Sequence, residues 1–119
     1  MKQKLTIAIP TFKRSQVLKE ALGLFVPMLT ENVSLLVIDN CSKDGTQEVV
    51  QAVIDAKPQH CIRYLQNETN IGGDANLMRC IEEADTEWLW IFGDDDRPAG
   101  DALDIIRSEE HTSELQSRQ

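Results

Sequence analysis

Four short apolar runs divide the chain and predict the strands of a sheet. They cover residues 5–9, 35–38, 62–65 and 88–92, and most of their residues are β-branched, leucine or aromatic. Each run is four or five residues long and is followed by proline, glycine or polar residues, which is typical of buried strands rather than helices. Because proline cannot donate a backbone hydrogen bond, Pro10 is predicted to end the first strand.

Between these runs, apolar residues recur every three or four positions, which predicts three helices with one buried face each. The predicted buried faces are Val17, Leu18, Ala21, Leu22, Phe25 and Met28 in the first helix, Val49, Val50, Val53 and Ile54 in the second, and Leu77, Met78, Ile81 and Ala84 in the third. Ser15 is the expected N-cap of the first helix, and Pro27 is expected to bend or end it. Asp44 and Gln47 have the spacing of a capping box before the second helix.

Apolar strands that alternate with helices predict an α/β fold, with a mostly parallel sheet and helices on both faces. Right-handed crossovers would make this a Rossmann-like array. A length of 119 residues suits one domain and is too short for two. If the strand order is 3-2-1-4, the carboxyl ends of the first, second and fourth strands lie side by side.

Polar residues follow these three strands, at the edge where open parallel sheets bind ligands. Thr11 follows the first strand, Asp39 and Asn40 follow the second, and three consecutive aspartates, residues 94–96, follow the fourth. Neighbouring carboxylates repel each other unless a cation or hydrogen-bond donors offset the repulsion. Because Mg²⁺ and Mn²⁺ prefer oxygen ligands, residues 94–96 are a candidate metal site. The alternative is a solvated acidic turn balanced by Arg97.

Two other binding motifs are not supported. The stretch "DNCSKDGT" places Cys41 and Lys43 where an EF-hand loop needs oxygen ligands, and "NIGGDAN" lacks the spaced glycines of a dinucleotide-binding turn. The pair Gly72 and Gly73 fits either a plain loop or a loop that lets the backbone approach a nucleotide. The sequence therefore predicts neither an EF-hand nor an NAD site.

Charge and cysteine content narrow the possible partners and location. The formal net charge is −8, from 20 acidic and 12 basic residues, and no Lys/Arg cluster stands out. This argues against nucleic acid as a partner. The three cysteines have unrelated spacings, which indicates reduced thiols and a cytoplasmic protein. The apolar run near the N-terminus is too short for a signal peptide or a membrane span.

Three stretches resemble, in order and spacing, the N-terminal nucleotide-binding half of a family 2 inverting glycosyltransferase of the GT-A fold. They read "LTIAIPTFKR", "LLVIDNCSKDGT" and "NETNIGGDANLMRCIEEADTEWLWIFGDDD". The resemblance implies an enzyme that binds a nucleotide-diphospho-sugar through a divalent cation, Mn²⁺ or Mg²⁺. It also implies transfer of the sugar to an acceptor hydroxyl with inversion. The implied setting is bacterial surface polysaccharide or cell-envelope glycan synthesis, with a glycan or lipid-linked acceptor.

The same resemblance implies which residues bind the donor. Thr11 and Phe12 would lie near the base and ribose, and Asp39 and Asn40 would hold the base. Because an amide stands at Asn40 where the family usually has an acid, the nucleobase stays open between uridine, thymidine and guanosine. The full implied donor-binding set is Pro10, Thr11, Phe12, Arg14, Asp39, Asn40, Asn70, Gly72, Asn76, Asp94 and Asp95.

The carboxylates after the fourth strand are implied to bind ribose and the metal that bridges the diphosphate. The implied metal ligands are Asp95 and Asp96. Gly93 replaces the first acid of the usual Asp-x-Asp spacing, which favours Asp95 as the main ligand. The general base and the acceptor pocket belong to the family's C-terminal half, so no base is named here. The fragment alone is expected to be inactive.

The last residues, 107–119, are polar and unlike the preceding chain. They read "RSEEHTSELQSRQ", and residues 107–117 resemble the translation of a common sequencing adapter. We therefore expect residues 1–106 to be the N-terminal part of a GT-A domain, truncated by a non-native tail at residues 107–119. Attachment of the longer protein to the inner face of the membrane stays open.

Two other functions are considered. A non-catalytic nucleotide-binding module would share the fold and the polar strand ends without the transfer reaction. A CheY-like receiver domain is also doubly wound and acidic, but it needs a lysine after a later strand, and no strand here is followed by such a lysine.

Overall fold

The computed structural model describes residues 4–96, so the expected tail at residues 107–119 and Arg97 lie outside the described residues. The order of elements is β1 (Leu5–Thr11), α1 (Ser15–Phe25), a 3-10 turn (Val26–Met28), β2 (Val33–Asp39), α2 (Thr46–Ala56), β3 (Ile62–Gln66), α3 (Gly73–Glu83) and β4 (Trp88–Ile91). All four predicted strands and all three predicted helices are therefore present. Within the described range, no helix is long and apolar enough to cross a membrane.

The described strands form one parallel sheet in the order β3-β2-β1-β4. Leu5 of β1 pairs with Val33 of β2 on one side and with Trp88 of β4 on the other. This confirms the predicted α/β fold and strand order. It disagrees with a receiver-like arrangement, because there the first strand lies between the second and the third.

Alternate strand residues face two apolar clusters, one on each side of the sheet. Ile7 and Ile9 of β1 pack in the same cluster as Phe25 of α1 and Val50 of α2. Ala8, between them, belongs to the other cluster, which includes Cys80 and Leu77 of α3. Successive strand side chains point to opposite faces, so α1 and α2 cover one face and α3 covers the other. Burial on both faces explains why the strands are apolar at nearly every position.

The prediction that Pro10 ends the first strand is wrong, because β1 continues to Thr11. Backbone bonds of β1 alternate between its neighbours: Asn40 donates to the Thr11 carbonyl on the β2 side, and Phe92 donates to the Ala8 carbonyl on the β4 side. The nitrogen of Pro10 therefore faces β4. Since β4 ends at Ile91, the donor that proline lacks is not needed there.

The predicted caps of the first two helices are shifted. Helix α1 begins at Ser15 itself, and its N-cap is Arg14, without a side-chain hydrogen bond. Helix α2 begins at Thr46, and its N-cap is Gly45. Asp44 lies one residue earlier and accepts a 3.2 Å bond from the Thr46 amide, which is an Asx turn rather than a capping box. The predicted end of α1 near Pro27 is confirmed, since α1 stops at Phe25.

Helix α3 buries only part of the predicted face: Leu77 packs against the apolar cluster as predicted, but Met78 and Ile81 do not. Its buried residues are Asn76 and Cys80, whereas Met78 is 54% exposed and Ile81 is 46% exposed. The Asn76 side chain donates a 3.1 Å hydrogen bond to the Ile38 carbonyl, so a polar side chain faces the sheet. The apolar period alone misplaced the face because this contact helps to set the rotation of the helix.

Candidate functional site

Thr11, Asp39 and Asp94 lie together at the carboxyl edge of the sheet. Thr11 pairs with Asp39 across β1 and β2, and its hydroxyl donates a 2.8 Å hydrogen bond to Oδ2 of Asp94. The three strand ends that the sequence predicts to be neighbours therefore form one rim. Ligands of open parallel sheets bind at such a rim.

Arg14 connects two of the aspartates that follow β4. Its Nη1 atom lies 3.2 Å from Oδ1 of Asp94 and 3.4 Å from Oδ2 of Asp95. The side chain of Asp94 is 8% exposed and that of Asp95 is 66% exposed. Water screens an exposed pair such as Arg14 with Asp95, so it contributes at most about 1 kcal/mol. Asp94 is thus held firmly, whereas the carboxylate of Asp95 is accessible to a cation.

The carboxylate of Asp96 closes the turn after β4. Its Oδ2 atom accepts a 2.7 Å bond from the Gly93 amide, and the Asp96 amide donates to the Gly93 carbonyl at 3.0 Å. A Cβ atom at Gly93 would lie 3.1 Å from Oδ1 of Asp95 and 3.2 Å from Oδ2 of Asp96. Glycine at this position therefore leaves room for both carboxylates. Binding of a metal by Asp96 stays a prediction, and the metal would compete with the Gly93 amide for the Asp96 carboxylate.

Asp39 is buried at the end of β2, and its carboxylate has three donors. Oδ1 accepts from the amide of Ser42 at 3.0 Å and from its hydroxyl, and Oδ2 accepts from the Tyr64 hydroxyl at 2.6 Å. Burial, followed by the hydrogen bond and charge of Asp39, raises the pKa of Tyr64 well above its ordinary value. Tyr64 therefore stays a donor at neutral pH. The sequence did not predict Ser42 or Tyr64 as part of the site, although a serine three positions after an aspartate is a recognisable turn signal.

Asn40, the residue after β2, is 3% exposed and has four side-chain contacts. Its Nδ2 group donates to Oδ1 of Asn70 at 2.8 Å and to the Gly72 carbonyl at 3.4 Å. Its Oδ1 atom accepts from Nδ2 of Asn67 and from the Ile71 amide, both at 2.9 Å. An amide has two donors and two acceptor lone pairs, so this capacity is filled within the protein. A contact between Asn40 and a base stays a prediction, and it would have to replace one of these bonds.

The loops that carry the rim use uncommon backbone conformations. Lys13 has φ 52°, Cys41 has φ 67° and Lys43 has φ 54°, in the left-handed region that non-glycine residues seldom adopt. The Lys13 amide donates a 2.7 Å bond to the Ser42 hydroxyl, which connects the loop after β1 to the loop after β2. Such conformations cost about 1 kcal/mol or more each and cluster at functional sites.

A cavity of about 320 Å³ opens on the rim, at the lower end of the volumes typical of small-molecule sites. The predicted donor-binding residues that line it are Pro10, Thr11, Phe12, Arg14, Asn40, Asn76 and Asp94. Asp39 borders a separate polar cavity of about 280 Å³ at the start of α2. Asn70, Gly72 and Asp95 line neither cavity. A larger apolar groove of about 600 Å³ lies between α1 and α2, and none of the rim residues lines it.

The fold is that of the N-terminal half of GT-A glycosyltransferases. The chain is similar to a mannosyltransferase from Pyrobaculum calidifontis solved with GDP-Man and Mn²⁺, with TM-score 0.74, 18% identity and coverage of 84% of this chain and 30% of that one. It is also similar to S. aureus TarS 1-349 in complex with UDP, with TM-score 0.74, 22% identity and coverage of 92% and 33%.

The sequence model described as Glycosyl transferase family 2 matches residues 6–106, and the chain belongs to this family. Abequosyltransferase RfbV of Salmonella typhimurium is 32% identical over 106 residues, which are 87% of this chain and 32% of that protein. GalNAc(5)-diNAcBac-PP-undecaprenol beta-1,3-glucosyltransferase of Campylobacter jejuni is 28% identical over 104 residues, which are 87% of this chain and 33% of that protein. The chain thus spans about a third of the length of these relatives. The family predicted from the sequence motifs is confirmed.

Proposed function

We propose that this chain supplies the donor-binding part of a glycosyltransferase that transfers a sugar from a nucleotide-diphospho-sugar to an acceptor hydroxyl with inversion. The observation that carries the proposal is the meeting of Arg14 with one buried and one exposed aspartate beside the rim cavity. The names of the Salmonella and Campylobacter relatives support a role in bacterial surface polysaccharide or cell-envelope glycan synthesis.

The carboxylates of Asp94 and Asp95 suit a divalent cation, Mn²⁺ or Mg²⁺. One positive group, the Arg14 guanidinium, already lies within 3.4 Å of both, and carboxylate oxygens are ligands that these ions prefer. Asp96 is the third candidate ligand. When bound, such an ion stabilises the negative charge that develops on a diphosphate leaving group. The Mn²⁺ in the mannosyltransferase complex supports this assignment for the fold. Among residues 4–96, no three His, Cys, Asp or Glu side chains form a ready metal cluster, so substrate oxygens and water would complete the shell.

Arg14 is the group of the chain itself that would orient the diphosphate. The Arg14 side chain is 52% exposed and lines the cavity, and a guanidinium has five N–H donors that match phosphate oxygens in pairs. The Thr11 hydroxyl fixes the Asp94 carboxylate beside the same cavity. Arg14 would hold the leaving group while its bond to the sugar breaks, beside a carboxylate that Thr11 keeps in place.

Pro10 and Phe12 offer an apolar surface in the cavity for the base or ribose. The Phe12 ring is 37% exposed, with the Lys13 ammonium 5.4 Å from its centroid. Asp39, held by Tyr64, is the proposed acceptor for a base N–H. Uridine, thymidine and guanosine donors all satisfy this chemistry.

The general base and the acceptor pocket are proposed to lie in the part of a longer protein that this chain does not span. The acceptor is proposed to be a glycan or a lipid-linked glycan, reached from the cytoplasm at the inner face of the membrane. A fragment without the general base is expected to show no transfer, because the acceptor hydroxyl would not be deprotonated.

The test is whether nucleoside diphosphates stabilise the chain against heating only when Mn²⁺ is present. We expect UDP or GDP with Mn²⁺ to raise the Tm of the wild-type chain. Asp95→Asn should abolish this rise. Asp85→Asn, which changes an exposed aspartate outside the rim, is the matched control and should keep it.

A rise in Tm that needs no metal and survives Asp95→Asn would contradict this proposal. It would instead favour a non-catalytic nucleotide-binding module. No rise with any nucleoside diphosphate would contradict donor binding by this chain.

A further inference from the structure

Asn67, the residue that follows β3, is 4% exposed and joins three parts of the rim. Its Nδ2 group donates to Oδ1 of Asn40 and to Oδ1 of Asn76, both at 2.9 Å. Its backbone amide donates to the Asp39 carbonyl at 2.8 Å, and its Oδ1 atom accepts from the Arg79 guanidinium. Asn67 does not line the rim cavity.

Asn76 continues the connection from the first turn of α3 to the sheet. It is 3% exposed, and its Nδ2 group donates to the Ile38 carbonyl at 3.1 Å. The end of β2, the end of β3 and the start of α3 are therefore joined through side-chain amides. We call Asn40, Asn67, Asn70 and Asn76 the asparagine network.

Each buried member of the network must be an amide, because its donors face oxygen atoms. The two N–H groups of Asn67 point at the side-chain oxygens of Asn40 and Asn76. An aspartate at position 67 would place a negative oxygen against at least one of these oxygens and would lose both donors. Buried polar groups without partners are costly, so the network favours one arrangement.

The loop at residues 70–72 depends on this network for its position. The Ile71 amide donates to Asn40 and the Gly72 amide donates to Oδ1 of Asn70 at 2.8 Å. The Ile71 side chain is 43% exposed, so the loop has little apolar anchoring. Gly72 has φ 89°, a conformation that disfavours other residues. Asn40, Gly73 and Asn76, on either side of this loop, line the cavity.

We propose that Asn67 is a positioning residue for donor binding: by holding Asn40 and Asn76 it sets the part of the cavity wall that Asn40, Gly73 and Asn76 form, without touching the donor. This rests on the proposed function, because the effect is read out as donor affinity. Asp94, which also lines the cavity, and Asp95 beside it are held by other residues, Thr11 and Arg14. Asn67 therefore controls nucleotide affinity and leaves metal affinity unchanged.

The experiment uses the full 119-residue chain with Asn67→Asp, Asn67→Ala and a control, Asn32→Asp. Asn32 precedes β2 at the opposite edge of the sheet, so it takes the same change in charge away from the rim. Three quantities are measured: hydrogen exchange at the Ile71 and Gly72 amides, affinity for UDP and GDP with Mn²⁺, and affinity for Mn²⁺ alone.

In Asn67→Asp and Asn67→Ala we expect the two loop amides to exchange about tenfold faster, as loss of about one hydrogen bond predicts. Nucleotide affinity should fall by about the same factor, which corresponds to about 1.4 kcal/mol, while affinity for Mn²⁺ alone stays within about twofold. Asn32→Asp should leave all three quantities unchanged. If the Asn67 variants do not fold, Asn70→Ala, at an exposed position, removes the acceptor for Asn40 and Gly72 and should give the same pattern.

Faster loop exchange with unchanged nucleotide affinity would overturn the positioning role, because the wall would then not contribute to binding. Unchanged loop exchange would overturn the network as the anchor of the loop. If the wild-type chain binds neither UDP nor GDP, the proposed function fails, and the positioning role for donor binding fails with it. The exchange data then show separately whether the network anchors the loop.

Discussion

The rim has two sides that are built from different chemistry. The amide side consists of the asparagine network, in which the donors of buried side chains meet acceptors within the protein. The carboxylate side consists of Thr11, Arg14, Asp94, Asp95 and Asp96, in which charged groups meet at 3.2 and 3.4 Å with half of the arginine in solvent. Both sides border the same cavity.

This difference in chemistry suits the two sides to different roles, one in fixing the shape of the cavity and the other in binding ligand groups. Neutral amides that bond to one another fix a surface, and Asn40 has all four of its side-chain hydrogen bonds within the protein. Exposed carboxylates and guanidinium groups lose little when they exchange one partner for another, because water screens their pairing. The amide side is therefore suited to hold the cavity in shape, and the carboxylate side is suited to take up a cation and phosphate.

Breaking the amide side should have the largest effect on folding. Asn76→Leu would remove the side-chain bond to the Ile38 carbonyl and leave one N–H group of Asn67 buried without its partner. We expect a loss of about 3 kcal/mol in the free energy of unfolding, measured by urea denaturation. Asn32→Leu, outside the rim, is the control and should cost much less. An equal loss in both variants would show that the network adds no stability of its own.

Removing a hydrogen bond from the buried part of the carboxylate side should lower the free energy of unfolding by a smaller amount. Thr11→Val keeps the shape of the side chain and removes the hydroxyl that donates to Asp94. We expect about 1–2 kcal/mol less stability in the same urea experiment, because the 8% exposed Asp94 carboxylate loses a donor. Thr69→Val, at an exposed loop position, should change stability by less than about 0.5 kcal/mol. A smaller loss in Thr11→Val than in Thr69→Val would contradict this reason.

Asp39 tests the same comparison of the two sides, because its buried carboxylate accepts hydrogen bonds from fixed groups within the protein, as the buried amides do. Tyr64→Phe removes one of these donors and should cost about 1 kcal/mol at neutral pH. The raised pKa of Tyr64 means that the folded state keeps its proton more tightly than the unfolded state. This stability is complete below the unfolded pKa of about 10 and is lost as pH rises above it.

Alkaline titration checks this sign directly. Tyr64 is the single tyrosine of the chain, so phenolate absorbance reports on it alone. We expect phenolate to form in the folded chain only well above pH 10, and the alkaline loss of stability to be weaker in Tyr64→Phe. Ionisation near the ordinary value in the folded chain would mean that the hydroxyl does not hold Asp39.

The smallest effect on folding is expected at the exposed end of the carboxylate side. Arg14→Gln should change stability by less than about 0.5 kcal/mol, because the pair with Asp95 is screened and Asp94 keeps the Thr11 hydroxyl as a donor. Its effect on binding should be larger, with about tenfold weaker affinity for UDP or GDP with Mn²⁺, measured by calorimetric titration. Lys19→Gln, an exposed position on α1, should alter neither quantity. Large destabilisation in Arg14→Gln would contradict the division between the two sides.

The sheet could be predicted from the sequence because its strands bury both faces and are apolar at nearly every position. The gathering of Thr11, Asp39 and Asp94 followed from topology alone, since parallel strands end at one edge. The exposed face of α3 could not be predicted, because Met78 and Ile81 have the period of a buried stripe while a polar residue, Asn76, faces the sheet.

The asparagine network was predicted only in part. The family motif predicted Asn40, Asn70 and Asn76 as residues that bind the nucleotide-sugar. Their contacts to one another depend on loop geometry, which residue spacing in the sequence does not show. Asn67 was missed because a single asparagine after a strand is an ordinary turn signal. Tyr64 was missed because its partner, Asp39, lies on another strand.

Asparagine side chains do not titrate, so the geometry of the amide side contains no acid or base that could switch within the pH range of a living cell. The part of the cavity wall that Asn40, Gly73 and Asn76 form should keep its shape when the solution becomes mildly acidic. Any sensitivity of donor binding to mild acid would then come from the phosphate or from the metal. A site that divides its roles in this way can respond to acidity in its affinity without changing its shape.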